Sequence, residues 1–409
     1  MVAFSLWPRL LLALIESKWL ILGLFVLVLP LREFEYYSGA LIALGISILA
    51  AKQCKSRSFS CISIAVVWIA YGQYLSVHNS RGIGMSVMIL LAISIWVGSL
   101  DSNLIARLMM PVCWLSVPVL IFQLIGYSFN VPVLGHFFID KTLGGLSIAQ
   151  TSSLVGVMVV SSAYCIYEAL RSYRVNSLEL SVKIIPFLCS FGMALFAGQR
   201  SSYLIPLFSI AIAVFLVVLN SANKRNKIRV LGFLVLSAIA YVIVSFALPT
   251  LGSINFGITD SEVVRLDAIH CVVVSSLGSI KAFVFGHGFR SFSDHCYDLN
   301  GLLDYHSFFK YIGHTHNLVA QVAFSLGVPL SCVLVLLLAN GFIGLFKSLK
   351  SSDLALSSLN IYLLMLFVFC FINSMVEVSF LKVPALAMVY GLVFGSALGG
   401  GGMERKLTA

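Results

Sequence analysis

Residues 314–346 read His314-Thr-His-Asn-Leu-Val-Ala-Gln-Val-Ala-Phe-Ser-Leu-Gly327-Val-Pro329-Leu-Ser-Cys-Val-Leu-Val-Leu-Leu-Leu-Ala-Asn-Gly-Phe-Ile-Gly-Leu-Phe346. A short polar head leads into a long apolar run that holds no Asp, Glu, Lys or Arg. About 20 apolar residues in a helix cross the hydrocarbon core of a bilayer, so this run spans a membrane with residues to spare. Pro329 lacks an amide donor and crowds the preceding turn, so a kink or break is expected near it.

The rest of the chain repeats the pattern. Of 409 residues, 60% are hydrophobic and 10% charged, and mean hydropathy is +1.01. A soluble domain carries about 25% charged residues. Soluble, disordered, collagenous and disulfide-rich secreted classes are therefore excluded. The apolar stretches run to about 15–25 residues, the length of spanning helices, whereas membrane barrels alternate over strands of about 10. No cleavable signal peptide is evident, because Arg9, Glu16 and Lys18 interrupt the first segment. Residues 4–15 read as interfacial, and the first span begins near Lys18. Further spans are expected at about 36–51, 61–78, 83–100, 104–127, 152–170, 184–198, 202–220, 230–250, 315–346, 359–378 and 380–398. The expected fold is an all-α polytopic membrane protein with about 12 transmembrane helices and one long periplasmic loop carrying short helices. Residues 1–250 hold helices 1–9, residues 251–314 form the loop, and residues 315–409 hold helices 10–12 and a cytoplasmic tail.

The net charge of +10 raises two possibilities, nucleic acid or an anionic membrane. With a cytoplasmic N-terminus, most of the 26 Lys and Arg residues fall on the inner side, with a cluster at 224–229. That is the positive-inside pattern, with both termini cytoplasmic, and it needs no nucleic-acid partner. The same topology puts all eight histidines outside, six of them between His270 and His316. Cys271 and Cys296 share the outer loop and could pair in an oxidising compartment, which sequence alone does not show. No CxxC, HExxH or Walker-type loop is present, so no metal or nucleotide cofactor is expected.

Three short outer pieces could carry chemistry. Gly198-Gln199-Arg200-Ser201-Ser202 joins two spans, and Arg200 there is either a snorkelling anchor or an anion ligand. Glu262–Leu277 looks helical, and Val264, Ala268 and Cys271 could share a face. Within it, Arg265 either binds an anion or pairs with Glu262 or Asp267. The third piece runs from Gly286-His287-Gly288 to His314-Thr315-His316-Asn317 at the mouth of a span. Polar groups there are expensive and read as functional by default. An alternating His pair could be a metal half-site, but no third ligand follows at a typical spacing. A helix cap from Thr315 or Asn317 is the plain alternative, though it leaves two histidines unexplained. Guanidinium groups bind phosphate through two parallel hydrogen bonds, and histidine serves as a base near neutral pH. Together they suit a lipid-linked pyrophosphate donor and a hydroxyl nucleophile.

At this point the chain resembles the bacterial O-antigen polymerase and O-antigen ligase group, which also includes exopolysaccharide polymerases. The resemblance rests on Gln199-Arg200-Ser201-Ser202 opening a span, Arg265 in the loop, Phe285-Gly286-His287-Gly288, and His314-Thr315-His316-Asn317 with Gly327 behind it. It implies a GT-C-like, metal-independent inverting glycosyltransferase in the bacterial inner membrane, with a periplasmic active site. The implied partners are an undecaprenyl-pyrophosphate-linked glycan donor, a glycan or lipid A-core acceptor and membrane lipids, with a chain-length regulator as a further candidate. By the resemblance His316 is the general base, Arg200 and Arg265 hold the pyrophosphate, and His314 and Asn317 either orient His316, bind substrate or cap the helix. An Arg-x10-Gly motif of some polymerases is not met, because Gly278 follows Arg265 with twelve residues between.

Arg290 and Lys310 are further candidates for phosphate or acceptor glycan, and Glu377 could pair with an arginine. A transporter or flippase is the rival class. It would place ionisable residues near mid-membrane, whereas here nearly all lie toward one face.

Overall fold

The computed structural model describes residues 66–69, 83–100, 148–171, 177–196, 200–220, 260–289, 291–298, 314–349, 354–378 and 384–400, with isolated positions at 105, 113–114, 116–118, 120–121 and 381. Among them there is no strand. In chain order the helices are α1 (Ile83–Leu100), α2 (Ile148–Arg171), α3 (Ser177–Phe196), α4 (Arg200–Asn220), α5 (Asp260–Leu277), α6 (Ile280–Phe285), α7 (Phe292–Asp298), α8 (Leu318–Leu326), α9 (Val328–Ser348), α10 (Leu354–Val376) and α11 (Pro384–Gly400). Eight of these match expected spans or parts of them, α8 and α9 sharing one, and α5 covers the expected helical piece of the loop. The interfacial piece at 4–15, the first span from Lys18 and the expected spans at 36–51 and 230–250 lie outside the described residues, as do most of 61–78 and 104–127.

Two helices, α9 and the 359–376 part of α10, are long and apolar enough to cross a membrane, and shorter apolar segments lie in α1, α2, α3, α4 and α11. Residues Ser331, Leu334, Leu338, Gly341, Leu345 and Ser348 of α9 are buried. Their alternating three- and four-residue spacing makes one packed seam. The other side of α9 is apolar too, with Val333, Val335, Leu336 and Ile343 exposed. A helix greasy on its exposed side as well as its packed side matches a lipid surround.

Small residues and interhelical hydrogen bonds do much of the joining, as expected where apolar side chains gain little by leaving lipid. Gly391, Gly395 and Gly399 recur every fourth residue along α11. A Cβ at Gly395 would overlap the carbonyl of Ile95 on α1, and one at Gly399 would lie 2.6 Å from the Ser99 oxygen. The backbones of α1 and α11 therefore touch. At the centre of the bundle, α10 packs against α2, α4, α9 and α11, and Ile361–Cys370 is buried throughout. Asn373 of α10 donates to Ser153 Oγ (3.0 Å) and Tyr390 Oη (2.6 Å), and Tyr362 lies 2.8 Å from Ser161 Oγ.

The stretch 315–346 is two helices, so the interruption expected near Pro329 is a full break. The break falls at Gly327, and Pro329 occupies the first turn of α9, where its missing N–H costs nothing. The nine residues of α8 rise only about 13 Å, too little to span. Gly327 has φ 96° and ψ 158°, a region open in practice to glycine alone. The last four carbonyls of α8 would be orphaned by the break, yet all are satisfied. Gly327 N–H donates to Ala323 O (3.0 Å), His287 N–H to Phe324 O (2.6 Å) and Gly288 N–H to Ser325 O (3.2 Å). Trp68 Nε1–H donates to Leu326 O at 3.4 Å. The Gly286–Gly288 turn is thus a backbone clamp on the end of α8.

Candidate active site

The clamp sits on a small second core. Ala268, Cys271 and Val272 of α5 pack with Phe292, Cys296 and Phe324, flanked by Ala320 and Ala323. Ala268 and Cys271 share the expected face of α5. Cys271 and Cys296 form a disulfide with Cα atoms 6.1 Å apart, joining α5 to α7. Closing that 25-residue separation removes chain entropy worth about 3.5 kcal/mol in the unfolded state. Mass mapping without reductant is expected to return one peptide pair linking Cys271 to Cys296. Cys271→Ser is expected to leave Cys296 alkylatable and to destabilise the 260–298 segment by about 3 kcal/mol, read as faster limited proteolysis.

Of the six clustered histidines, His306 lies outside the described residues and the other five divide. His287 is buried, stacks on Phe324 at 4.8 Å, meets the His295 ring at a tilt at 4.2 Å, and holds Nε2 3.1 Å from Ser275 O. It joins the clamp to α5. His270 is exposed on α5. His314 and His316 belong to a different group, at the opposite end of α8.

Asn317 starts α8. Its Oδ1 accepts from Ala320 N–H (3.0 Å), an ordinary N-cap. Its Nδ2 donates to Met375 O (3.2 Å) in the last turn of α10. One side chain therefore caps α8 and ties it to α10. Thr315 Oγ1 donates to Asn317 O (2.7 Å), and Thr315 N–H donates to the Oε1 of Gln321 (3.0 Å). Between these fixed residues His316 takes φ 56°, the one positive value among the described non-glycine residues. Histidine is among the types that tolerate this region, at a cost that tight anchoring on both sides sustains.

The turn brings two rings onto one carboxylate. His316 Nδ1 lies 3.2 Å from Glu377 Oε2, and His314 Nε2 lies 3.7 Å from Glu377 Oε1. The ring centres are 4.3 Å apart. Glu377 follows α10 directly and keeps a helical bond, its N–H donating to Asn373 O (2.7 Å). The carboxylate side chain is 11% exposed and that of His316 21%. A largely buried acid thus backs a ring that is partly open to solvent. The expectation for Glu377 was an arginine; its described partners here are the two histidines. Sequence reading did not connect it to His316 because 61 residues separate them. The available signal was an acid at the end of an otherwise uncharged span.

The other expected site residues are placed as follows. Arg265 is half-buried on α5, three residues before Ala268 and seven before Val272, on the face that packs toward α8. Arg200 is the first residue of α4; its side chain lies outside the described set, as do Arg290 and Lys310 altogether. Ser202, next to that arginine, is buried and donates to Ala194 O (2.7 Å), closing α4 onto the end of α3.

Residues 185–338 match the family model described as O-antigen ligase. No curated protein matches the chain. The matched segment runs from α3 into α9 and contains Arg200, Arg265, His314 and His316, while Glu377 lies beyond it. The match supports glycan transfer of the O-antigen ligase or polymerase type and, with the apolar helices, a membrane protein. Over this segment, less than half of its length, the chain is similar to the O-antigen ligase family.

Proposed function

We propose that the protein is an inner-membrane glycosyltransferase moving a glycan from an undecaprenyl-pyrophosphate carrier to an acceptor hydroxyl at the periplasmic face. The observation that carries this reading is the 3.2 Å approach of His316 Nδ1 to the largely buried Glu377 carboxylate. With Nδ1–H donating to Glu377, the Nε2 lone pair takes the proton of the acceptor hydroxyl. The carboxylate fixes that tautomer and stabilises the imidazolium that forms. The acceptor oxygen then attacks the anomeric carbon with inversion, and the carrier pyrophosphate leaves. Arg200 and Arg265 hold the pyrophosphate and offset the charge it gains. His314 shares the carboxylate and lines the same mouth, with Arg290 and Lys310 as acceptor contacts. A pyrophosphate held by two arginines leaves without a metal.

The Cys271–Cys296 disulfide supports a periplasmic loop, since such bonds persist on the oxidising side of a membrane. The proposed architecture is GT-C-like with about 12 spans, and α8 belongs with the 251–314 loop as a short helix at the membrane face. Two acceptors fit the chemistry. A growing lipid-linked repeat makes the enzyme a polymerase. Lipid A-core makes it a ligase, the alternative reading, and the family match is compatible with both. The lipopolysaccharide of a deletion strain separates them: a single attached repeat identifies a polymerase, and lipid A-core with no attached glycan identifies a ligase. A wild-type ladder would overturn both.

Arg265→Ala is expected to lower transfer by about 10²–10³-fold, the scale of removing one preorganised donor from a developing anion. Arg265→Lys is expected to recover part of it, because lysine keeps the charge and loses the two-pronged geometry. Transfer assays with purified lipid-linked donor read both.

A further inference from the structure

His314, His316 and Glu377 place three ligand atoms, two imidazole nitrogens and a carboxylate oxygen, within 4.8 Å of one another. Ligands at zinc–nitrogen and zinc–oxygen distances of about 2.1 Å stand about 3.4 Å apart along a tetrahedral edge. His316 Nδ1 stands 3.2 Å from Glu377 Oε2 and His314 Nε2 3.7 Å from Oε1, so each ring nitrogen lies near that separation from one of the two carboxylate oxygens, and either oxygen can serve as the third ligand. All three side chains are held from behind. Asn317 ties the His316 turn to α10, and Glu377 is anchored on α10 by its own backbone bond. The rings are 13% and 21% exposed, enough for an ion to enter and for a fourth ligand position to face outward. Two imidazoles and a single carboxylate suit zinc and its neighbours, and not magnesium or calcium, which take mostly oxygen.

We propose that His314, His316 and Glu377 form a three-ligand site for a divalent transition metal such as Zn²⁺, and that filling it switches glycan transfer off. The binding stands on this geometry alone. The switch rests on His316 acting as the base through Nε2. A neutral imidazole has one proton. When Nδ1 gives its lone pair to the metal, that proton sits on Nε2, which then donates and no longer accepts. In His314 the proton moves from Nε2 to Nδ1, at the cost of the 3.4 Å bond that His316 N–H donates to Nδ1. No proton is gained or lost by either ring, and removing the metal restores the base.

Equilibrium dialysis of the full-length protein in detergent against Zn²⁺ tests the site. Wild type is expected to bind one equivalent more tightly than Glu377→Gln and His314→Ala do, by about tenfold or more. Should Glu377→Gln be degraded, His314→Ala carries the comparison, with folding read from protection of Cys271 and Cys296 against alkylation. Equal zinc uptake by the wild type and the folded variants would overturn the site. Zn²⁺ at the occupancy found by dialysis is expected to lower wild-type transfer about tenfold or more, and EDTA to restore it. Undiminished transfer by the loaded protein, or transfer abolished by EDTA alone, would overturn the switch. His316→Ala assayed without metal examines the base by itself: transfer surviving there removes the base reading, while dialysis still decides the site.

Discussion

His316→Ala is expected to lower glycan transfer by about 10²–10⁴-fold while the protein stays in the membrane with its disulfide formed. The range is what a positioned general base contributes. The loss should be chemical, because His316 is 21% exposed and supports no packing core, whereas the fold of the turn depends on its neighbours. Asn317 supplies the cap and the tie to α10, and Thr315 the bonds that close the turn. Removing the ring even relaxes nothing essential, since alanine at φ 56° costs only the usual penalty of that region. Glu377→Gln should show a smaller loss of the turnover rate with little change in apparent substrate affinity. A glutamine can still accept from Nδ1–H, but its neutral amide does not stabilise the imidazolium. A wild-type chain-length profile from the His316→Ala strain would sink the mechanism.

How much of this was legible beforehand depends on range along the chain. The spans that the structure describes were readable because hydropathy is a local property: 83–100 coincides with α1, and α4 and α10 fall where the apolar runs lie. The helix in the loop and the kink or break expected near Pro329 were readable for the same reason. What failed was the cause and position of the break. Pro329 lies two residues on, whereas Gly327 makes the turn and the Gly286–Gly288 clamp, 37 residues earlier by the His287 to Phe324 spacing, satisfies the Phe324 and Ser325 carbonyls. The clamp is a backbone contact, and backbone contacts leave little trace in residue type beyond two glycines. The α1–α11 glycine stripe belongs to the same class: Gly391, Gly395 and Gly399 show their purpose only once α1 is known to face them. The candidate site divides likewise. His316 stood out as a costly polar residue at a span mouth. Its pairing with Glu377 did not, because that carboxylate arrives from the end of α10, 61 residues away, and local spacing carries no sign of a third ligand for the His-x-His pair.

The second large effect is expected at that break, and it shows that the site depends on the clamp. Gly327→Ala should abolish transfer, expose the Cys271–Cys296 loop to proteases and reduce folded protein in the membrane. At φ 96° and ψ 158° a non-glycine residue pays on the order of 1–3 kcal/mol. Its Cβ would also overlap the Val284 carbonyl oxygen, which belongs to backbone and does not swing aside. Relief requires the 284–288 segment to lift from α8. That removes the bonds from His287 N–H to Phe324 O and from Gly288 N–H to Ser325 O, leaving buried acceptors at a cost of about 1–3 kcal/mol each. Against a total stability of about 5–15 kcal/mol, these losses are large. Moving the clamp also unseats His287 from Phe324, and Phe324 from the disulfide core, so α8 loses the support that fixes Asn317 and the His316 turn at its other end. Leu336→Ala, on the exposed side of α9, removes more side-chain atoms than Gly327→Ala adds and is expected to leave transfer and protease resistance unchanged. Equal behaviour of the two variants in limited proteolysis would show that the break tolerates a side chain and that the clamp does not hold the site.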